Sequence, residues 1–292
     1  MKNTAWVIDS AAHLLVNSNF RCYFIPIKNL VLFLFFTCLL AICPVRVSSQ
    51  NDYFRNINSS LGLSQNSVVG IALDSSGFVW MATQDGLNKY DGNSFTLYNK
   101  YFENFTPFNE LQIGKLMVEH SGDLWIIPKS KIPECRNNMT GSFAHYPSLK
   151  NSICLLQRKN GDLLFGNTSG KIKILNRKRQ PKGDIELPLN GNINRTIYCI
   201  SEDHFGRIWV ASGAGIFLIT ENKNQLSVKQ IHVELGEHNI YCYVFNDGTD
   251  VWVSTLGKGI YKKSLAEQNF KRVWKIGNIT LPENLTVYSI IS

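Results

Sequence analysis

The side chains that could carry out catalysis are scattered along the 292-residue chain. The six histidines show no H-E-x-x-H or other metal-ligand spacing, so the sequence predicts no metal site. Glu202 and Asp203 could act as an acid–base pair, but Asp203 lies three residues before Gly206, where a turn would use its carboxylate. No G-x-S-x-G motif occurs. We therefore expect no catalytic residues, no metal and no cofactor, and predict that this chain is not an enzyme.

Two glycine-rich stretches resemble phosphate-binding loops. They are GAG at Gly213–Gly215 and GKG at Gly257–Gly259. A phosphate loop opens a helix, whereas each of these precedes a strand-like stretch, so we interpret both as turns. One basic run, Asn176–Gly183 (NRKRQPKG), is interpreted as a solvated loop. The alternative is an anion-binding patch for a charged glycan.

The basic composition does not indicate a nucleic-acid-binding protein. The formal net charge is +8, but residues 1–50 contribute +3 of it, from four Lys or Arg and one Asp. The remaining +5 is spread along the chain, whereas nucleic-acid binding leaves a concentrated basic patch. We therefore expect no nucleic acid contact by this chain.

An apolar segment near the amino terminus predicts an export signal. Leu30–Cys43 (LVLFLFFTCLLAIC) is shorter than the about 20 residues that span a bilayer and matches the core of a signal peptide. Val47 and Ser49 fit the small-residue positions before a cleavage site. We expect residues 1–49 to be a signal peptide. The alternatives are an uncleaved signal anchor and a lipoprotein attached at Cys43.

A phrase centred on tryptophan recurs along the rest of the chain. The recurring positions are Trp80, Trp125, Leu164, Trp209 and Trp252, at steps of 45, 39, 45 and 43 residues. A repeat of this length with about four strands per unit is typical of propeller blades. The sequence therefore predicts an all-β fold, a β-propeller of about five four-stranded blades plus an incomplete sixth. A β-solenoid and a pair of sandwiches explain the long period less well.

The expected domain 50–292 is a partial propeller divided into repeats. The predicted repeats lie near 57–100, 101–145, 146–188, 189–232 and 233–277, with an incomplete one at 278–292.

Each repeat consists of strand-like stretches separated by turn signals. Asp74 lies three residues before Gly77, as in a type I turn, and Asp203 repeats this arrangement with Gly206. The second strand, FVWMAT, is apolar on both alternating faces, so it must be covered on both sides and its tryptophan must lie between blades. The residues expected to define the blade motif are Gly77, Trp80, Gly86, Trp125, Trp209, Gly215, Trp252 and Gly259.

Three cysteines lie at similar positions before turn glycines. Cys154 and Cys199 precede theirs by seven residues and Cys242 by six, which predicts one equivalent position on the first strand of three blades. Equivalent residues point the same way around a ring and do not face each other. We expect buried free thiols rather than disulfides or metal ligands.

The stretch NSVVGIALDSSGFVWMATQDGLNKYDG resembles the two-component regulator propeller repeat. That repeat has an apolar strand, a D-x-x-G turn, a W-[IV]-[GA]-T strand and a G-L-x-x-Y/F turn. The stretches IYCISEDHFGRIWVASGAGIFLI and IYCYVFNDGTDVWVSTLGKGIYKK resemble it as well, so the resemblance covers about residues 57–277. Leu164 replaces the tryptophan in the third unit. The second unit has Pro128 and no turn glycine, so we expect a distorted outer half or a longer loop there.

The resemblance implies a sensory role. Such propellers are similar to the sensor regions of bacterial hybrid two-component systems that regulate polysaccharide utilisation. It implies an oligosaccharide ligand, a periplasmic location tethered to the inner membrane, and a homodimer formed through the full-length sensor. The partners would be the remaining propeller, sandwich and kinase domains, and this chain would be an amino-terminal fragment ending inside a sixth blade.

The alternative is a self-contained exported propeller. Such a protein would be secreted or lipid-anchored and would act as a binding protein or as a lectin-like or lyase-like enzyme, with a site in the central funnel.

Polar loop residues mark where a ligand would bind. Loops entering the first strand of each blade, and turns between second and third strands, should emerge on one face of a propeller. Converging polar residues suit carbohydrate or peptide recognition. The candidate ligand-binding residues are Gln84, Arg195, His238 and Lys258.

Overall fold

The computed structural model describes most of the repeat region. The described residues are 56–98, 113–128, 132–189, 191, 193–222, 225–233, 241–264, 267 and 269–287. They belong to one compact unit, Asn56–Ser292. The expected signal peptide at 1–49 lies outside the described residues. Among the described residues, no helix has the length and apolar character needed to cross a membrane.

In the described residues, five four-stranded antiparallel sheets follow one another, each with its strands in sequence order. Blade 1 contains β1 (Val68–Leu73), β2 (Val79–Thr83), β3 (Gly86–Tyr90) and β4 (Phe95–Leu97). Blade 2 contains β5 (Ile113–Val118), β6 (Leu124–Pro128), β7 (Glu134–Arg136) and β8 (Phe143–His145). Blade 3 contains β9 (Ser152–Gln157), β10 (Leu163–Asn167), β11 (Lys171–Leu175) and β12 (Pro181–Glu186).

The last two blades complete the series. Blade 4 contains β13 (Ile197–Glu202), β14 (Ile208–Ser212), β15 (Gly215–Asn222) and β16 (Gln225–Ile231). Blade 5 contains β17 (Tyr241–Asn246), β18 (Asp250–Thr255), β19 (Ile260–Ser264) and β20 (Lys271–Val273). A hairpin of β21 (Lys275–Ile276) and β22 (Ile279–Thr280) follows, and short 3₁₀ turns occur at Ser59–Leu61 and Pro147–Leu149. The all-β propeller fold predicted from the sequence is confirmed.

The second strands are buried on both faces, as their composition predicts. Every residue of β6, β10 and β14 is buried. Trp80 packs with Leu124 and Ile126 of blade 2. Trp125 meets Phe165 of blade 3 edge to face, with ring centroids 5.0 Å apart. Trp80, Trp125 and Trp209 therefore fill the space between consecutive blades, where burial of large aromatic surfaces stabilises the stack.

The described blades form an open series. First strands pack on first strands from β1 to β17, but no comparable packing joins blade 5 to blade 1 in the described ranges. Ile71 in blade 1 is 64% exposed, whereas the corresponding Ile200 in blade 4 is 5% exposed and packs with blade 3. Trp252 in blade 5 is only partly buried, in contrast to Trp209, at 3% exposed. The outer faces of blades 1 and 5 thus have the chemistry of interblade surfaces.

Blade 2 keeps four strands despite its irregular sequence. The strand that follows Trp125 ends at Pro128, and the third strand, Glu134–Arg136, has only three residues. Residues 129–131, where the turn glycine is missing from the sequence, lie outside the described residues.

Candidate functional site

In four of the five described blades, the carboxylate that opens the turn between the first and second strands also accepts a hydrogen bond from the tryptophan of its blade. Asp74 Oδ1 accepts hydrogen bonds from the backbone amides of Ser76 and Phe78, both at 2.9 Å. Its second oxygen, Oδ2, accepts from Trp80 Nε1 at 2.8 Å. The corresponding pairs are Trp125 with Glu119, Trp209 with Asp203 at 3.1 Å, and Trp252 with Asp247 at 2.8 Å. The motif therefore joins a turn to the interblade core through one carboxylate.

In blade 3, both the tryptophan and the carboxylate of this motif are replaced. Leu164 stands at the tryptophan position and has no N–H to donate, and Arg158 stands at the carboxylate position. Arg158 Nε instead pairs with Glu202 Oε1 of blade 4 at 3.0 Å. The sequence prediction gave the aspartate a turn role only, and this joint change was the signal that could have revealed its second partner.

The Glu202–Asp203 pair is committed to structural contacts. Glu202 is paired with Arg158, while Asp203 Oδ2 lies 2.7 Å from Arg207 Nε. Burial by itself would raise the pKa of Asp203, but hydrogen bonds from Trp209 and Arg207 outweigh it and hold the pKa below its ordinary value. Asp203 is therefore ionised at neutral pH and serves as an acceptor.

Loops from both predicted sets meet on one face of the blades, which we call the entry face. In blade 1, Gln65 Nε2 from the loop entering β1 donates to Gln84 Oε1 in the β2–β3 turn at 3.1 Å. In blade 4, the amide of Gly213 in the β14–β15 turn donates to the carbonyl of Thr196 at 2.9 Å. The remaining turns, β1–β2 and β3–β4 with their counterparts, lie at the other strand ends, on what we call the turn face.

Three of the four predicted ligand-binding residues are described, and they lie on the entry face in different blades. Gln84, Arg195 and Lys258 are exposed in blades 1, 4 and 5. The side chain of Arg195 donates to the carbonyl of Gly191 at 3.2 Å. Among the described residues, no hydrogen bond or ion pair joins these three side chains. His238 lies outside the described residues, so this set remains a prediction.

The first strands of blades 2 to 4 bring polar and thiol groups together. Lys115 Nζ of blade 2 donates to the carbonyl of Tyr198 in blade 4 at 3.1 Å. Cys154 Sγ lies 3.4 Å from the carbonyl of Ile197 in the next blade. Burial raises the pKa of Cys154 to about 12 and also raises the pKa of Cys199. The thiols are therefore protonated and unreactive at neutral pH.

The predicted equivalence of three cysteines is wrong for Cys242. Cys154 and Cys199 pair with Gly166 and Ala211 at the same ladder position, but Cys242 falls in the bulge before Tyr243. The β17–β18 turn is one residue shorter, because Asp247 N bonds to the carbonyl of Asp250, whereas Asp203 N bonds to that of Arg207. Tyr243 therefore takes the equivalent position. Cys154, Cys199 and Cys242 are buried, as predicted, and Cys135 is buried as well.

The basic run Asn176–Gly183 borders a cleft of about 420 Å³ on the turn face of blade 3. Half of its positive charge is paired. Arg179 Nε lies 3.1 Å from Glu119 Oε1 and also contacts Asp123, while Lys182 Nζ lies 2.6 Å from Asp162 Oδ2. The run thus ties blade 3 to blade 2. In the described part of the chain, no group of three or more His, Cys, Asp or Glu side chains could hold a metal ion.

Comparisons with known proteins identify the repeat. The model of the family described as two component regulator propeller matches residues 62–85 and 191–214. Histidine kinase P4 of Formosa agariphila is 36% identical over 85 residues, which are 29% of this chain and 6% of the kinase. The chain therefore spans a small part of that relative.

Solved structures share the fold at low identity. The extracellular domain of the hybrid two component system BT4673 from B. thetaiotaomicron is 18% identical, with a TM-score of 0.55 over 78% of this chain and 32% of that one. Virginiamycin B lyase from Staphylococcus aureus is 13% identical, with a TM-score of 0.56 over 71% of this chain and 70% of the lyase. This chain carries two-component regulator propeller repeats and is distantly similar to a histidine kinase.

Proposed function

We propose that this chain is the ligand-sensing propeller of a two-component signalling protein. The observation that carries the proposal is the match of two separate blades to the two component regulator propeller, together with 36% identity to a histidine kinase over 85 residues. The kinase and output steps would be performed by other domains of a longer protein. The committed contacts of Glu202 and Asp203 leave this pair no catalytic role.

The finer parts of the proposal concern ligand and location. An oligosaccharide ligand is supported by polar, solvent-accessible loops on the entry face and by clefts on the turn face. A sensor of this kind would work outside the inner membrane, in the periplasm, and would regulate genes for polysaccharide utilisation. The likeness to virginiamycin B lyase supports the fold alone, so we propose no lyase activity.

The proposal is tested by calorimetric titration of the 292-residue chain. Suitable probes are xylohexaose, cellohexaose and mannohexaose as neutral sugars and a heparin hexasaccharide as a sulfated one. We expect saturable binding of at least one probe. Binding should also change the hydrogen exchange of backbone amides, because a sensor passes on a signal only if the ligand shifts its conformational equilibrium. A folded sample that binds none of the four contradicts the oligosaccharide proposal.

The entry-face prediction is tested in the same titration. Gln84→Ala, Arg195→Ala and Lys258→Ala should each weaken binding if the entry face holds the ligand. Lys229→Ala is the matched control for Lys258→Ala, because it removes an exposed lysine of β16 that lines neither cleft of the turn face.

A further inference from the structure

The turn between β13 and β14 carries an aromatic side chain that the turn does not need. Phe205 is 64% exposed. The same turn position holds Ser76, Ser121 and Asn160 in blades 1 to 3, which shows that a small polar residue suffices for the fold. The Arg207 guanidinium lies 4.9 Å from the centre of the Phe205 ring. The Arg207 guanidinium thus packs against the Phe205 ring, while most of the ring surface is exposed to solvent.

Arg158 forms a fixed wall beside this ring, because blade 3 departs from the tryptophan motif. Its Nη2 donates to the carbonyl of Gly206 at 3.1 Å, and its Nε pairs with Glu202 at 3.0 Å. The Arg158 side chain is only 14% exposed. In the blades with a tryptophan, the corresponding carboxylate is turned to the indole of its own blade. In blade 3, which lacks the tryptophan, Arg158 occupies the carboxylate position and its guanidinium lies against blade 4.

An extended hairpin supplies the opposite wall. Strands β15 and β16 have eight and seven residues, whereas the third strands of the other blades have three to five. The start of β14, Ile208, pairs with Ile219, so Thr220–Asn222 project beyond the sheet and pair with β16 alone. Together with Arg158 and Phe205, these residues enclose a cleft of about 600 Å³ on the turn face.

The charges around the cleft are balanced, which favours an uncharged ligand. Three cations, Arg158, Lys159 and Arg207, stand against three carboxylates. Those carboxylates are Glu202, Asp203 and Glu221. The Glu221 carboxylate is the least engaged, since its side chain is 52% exposed and Oε2 lies 3.7 Å from Arg158 Nη1. An added anion would meet this carboxylate, whereas sugar hydroxyls could donate to it.

We infer that this cleft binds one or two units of a neutral saccharide. A sugar ring would stack on Phe205, and its hydroxyls would bond to Glu221, Thr220 and Asn222. Aromatic platforms with a few convergent polar groups are typical of small-ligand sites. The inference rests on the proposed ligand-sensing function and moves the binding site to the turn face, away from Gln84, Arg195 and Lys258.

The test is titration of the 292-residue chain and its variants with xylohexaose, cellohexaose and mannohexaose. We expect Phe205→Ala to weaken binding of the recognised sugar about tenfold, the effect of losing one aromatic stack. Phe205→Tyr should retain binding within about threefold, since the stacking surface remains. Glu221→Gln should weaken binding by a smaller factor. Met139→Ala, which removes another exposed apolar side chain from the turn face, is the matched control and should have no effect.

The outcomes separate this inference from the function on which it rests. Binding by the unchanged chain that is insensitive to both Phe205→Ala and Glu221→Gln overturns the cleft and leaves the sensor proposal standing. Loss of binding in the entry-face variants, with binding retained in Phe205→Ala, also overturns the cleft and leaves the sensor proposal standing. No binding of any neutral sugar overturns the saccharide cleft, and binding of the heparin hexasaccharide alone would then still support a sensor. Since Phe205 and Glu221 are exposed, these variants should fold.

Discussion

Two equivalent tryptophans provide a controlled measurement of how much interblade packing stabilises this protein. Trp209 and Trp252 each donate Nε1 to the turn aspartate, and each has a cation near its ring, Arg207 at 5.9 Å and Lys262 at 5.0 Å. They differ in whether a neighbouring blade covers the indole ring. Trp209 is 3% exposed and packs with blade 5, whereas Trp252 is only partly buried. Replacement by alanine should therefore destabilise the chain unequally.

The magnitudes follow from burial. Trp209→Ala leaves a closed cavity between two blades, for which the cost is about 3–5 kcal/mol. A tryptophan buries about 150–250 Å², and leaving up to about a third of that surface in solvent lowers its contribution by roughly 1–2 kcal/mol. The site of Trp252 is also open, so the cavity left there is not enclosed. We expect Trp252→Ala to cost about 1–2 kcal/mol.

The assay is urea unfolding followed by far-ultraviolet circular dichroism, because fluorescence would change with the number of tryptophans. The free energy of unfolding and the m-value are compared among the parent chain and the two variants. Equal losses within about 0.5 kcal/mol would refute the idea that the neighbouring blade, rather than the shared hydrogen bond, makes the difference. A larger loss for Trp252→Ala would refute it more strongly.

Three further predictions follow from the contacts described. Cys135, Cys154, Cys199 and Cys242 should react slowly with a thiol reagent in the folded chain and quickly in urea, because burial raises their pKa values, those of Cys135 and Cys154 to about 12; fast labelling at any of these four positions, located by peptide mass spectrometry, would contradict this. The pKa of Asp203 lies below its ordinary value of 3.8, so its stabilising contribution is present above that pH and is lost as the pH falls through the lower folded value. Asp203→Asn should therefore reduce stability at pH 7 and flatten the acid limb of a pH–stability curve, and an unchanged acid limb would argue against the assignment. Arg158→Ala should cost about 2–4 kcal/mol because it leaves the carboxylate of Glu202 buried without its partner, and Glu202→Gln in the same chain should restore part of the loss in a double-mutant cycle. Strictly additive effects would show that the two side chains are not coupled.

The sequence by itself determined the blade series. The turn from Asp74 to Gly77 is specified by residues that bond within five positions of one another. The apolar second strands demand cover on both faces, which only neighbouring sheets supply. Both signals are local and repeat with the chain, so they could be read without knowing which segments meet in space. The signal peptide and the entry-face residues, including His238, remain predictions.

Tertiary structure decided what the repeats hold together and where a cleft opens. Cys242 was assigned to the wrong position because a turn one residue shorter shifts the register. The sequence shows the spacing of six residues rather than seven, but only the strand pairing decides which residue takes the ladder position. The wall made by Arg158 depends on Glu202 and Gly206, more than forty residues away in the next blade. Such contacts join residues that no local pattern links, because their spacing in the chain is set by the blade period and their proximity by interblade packing.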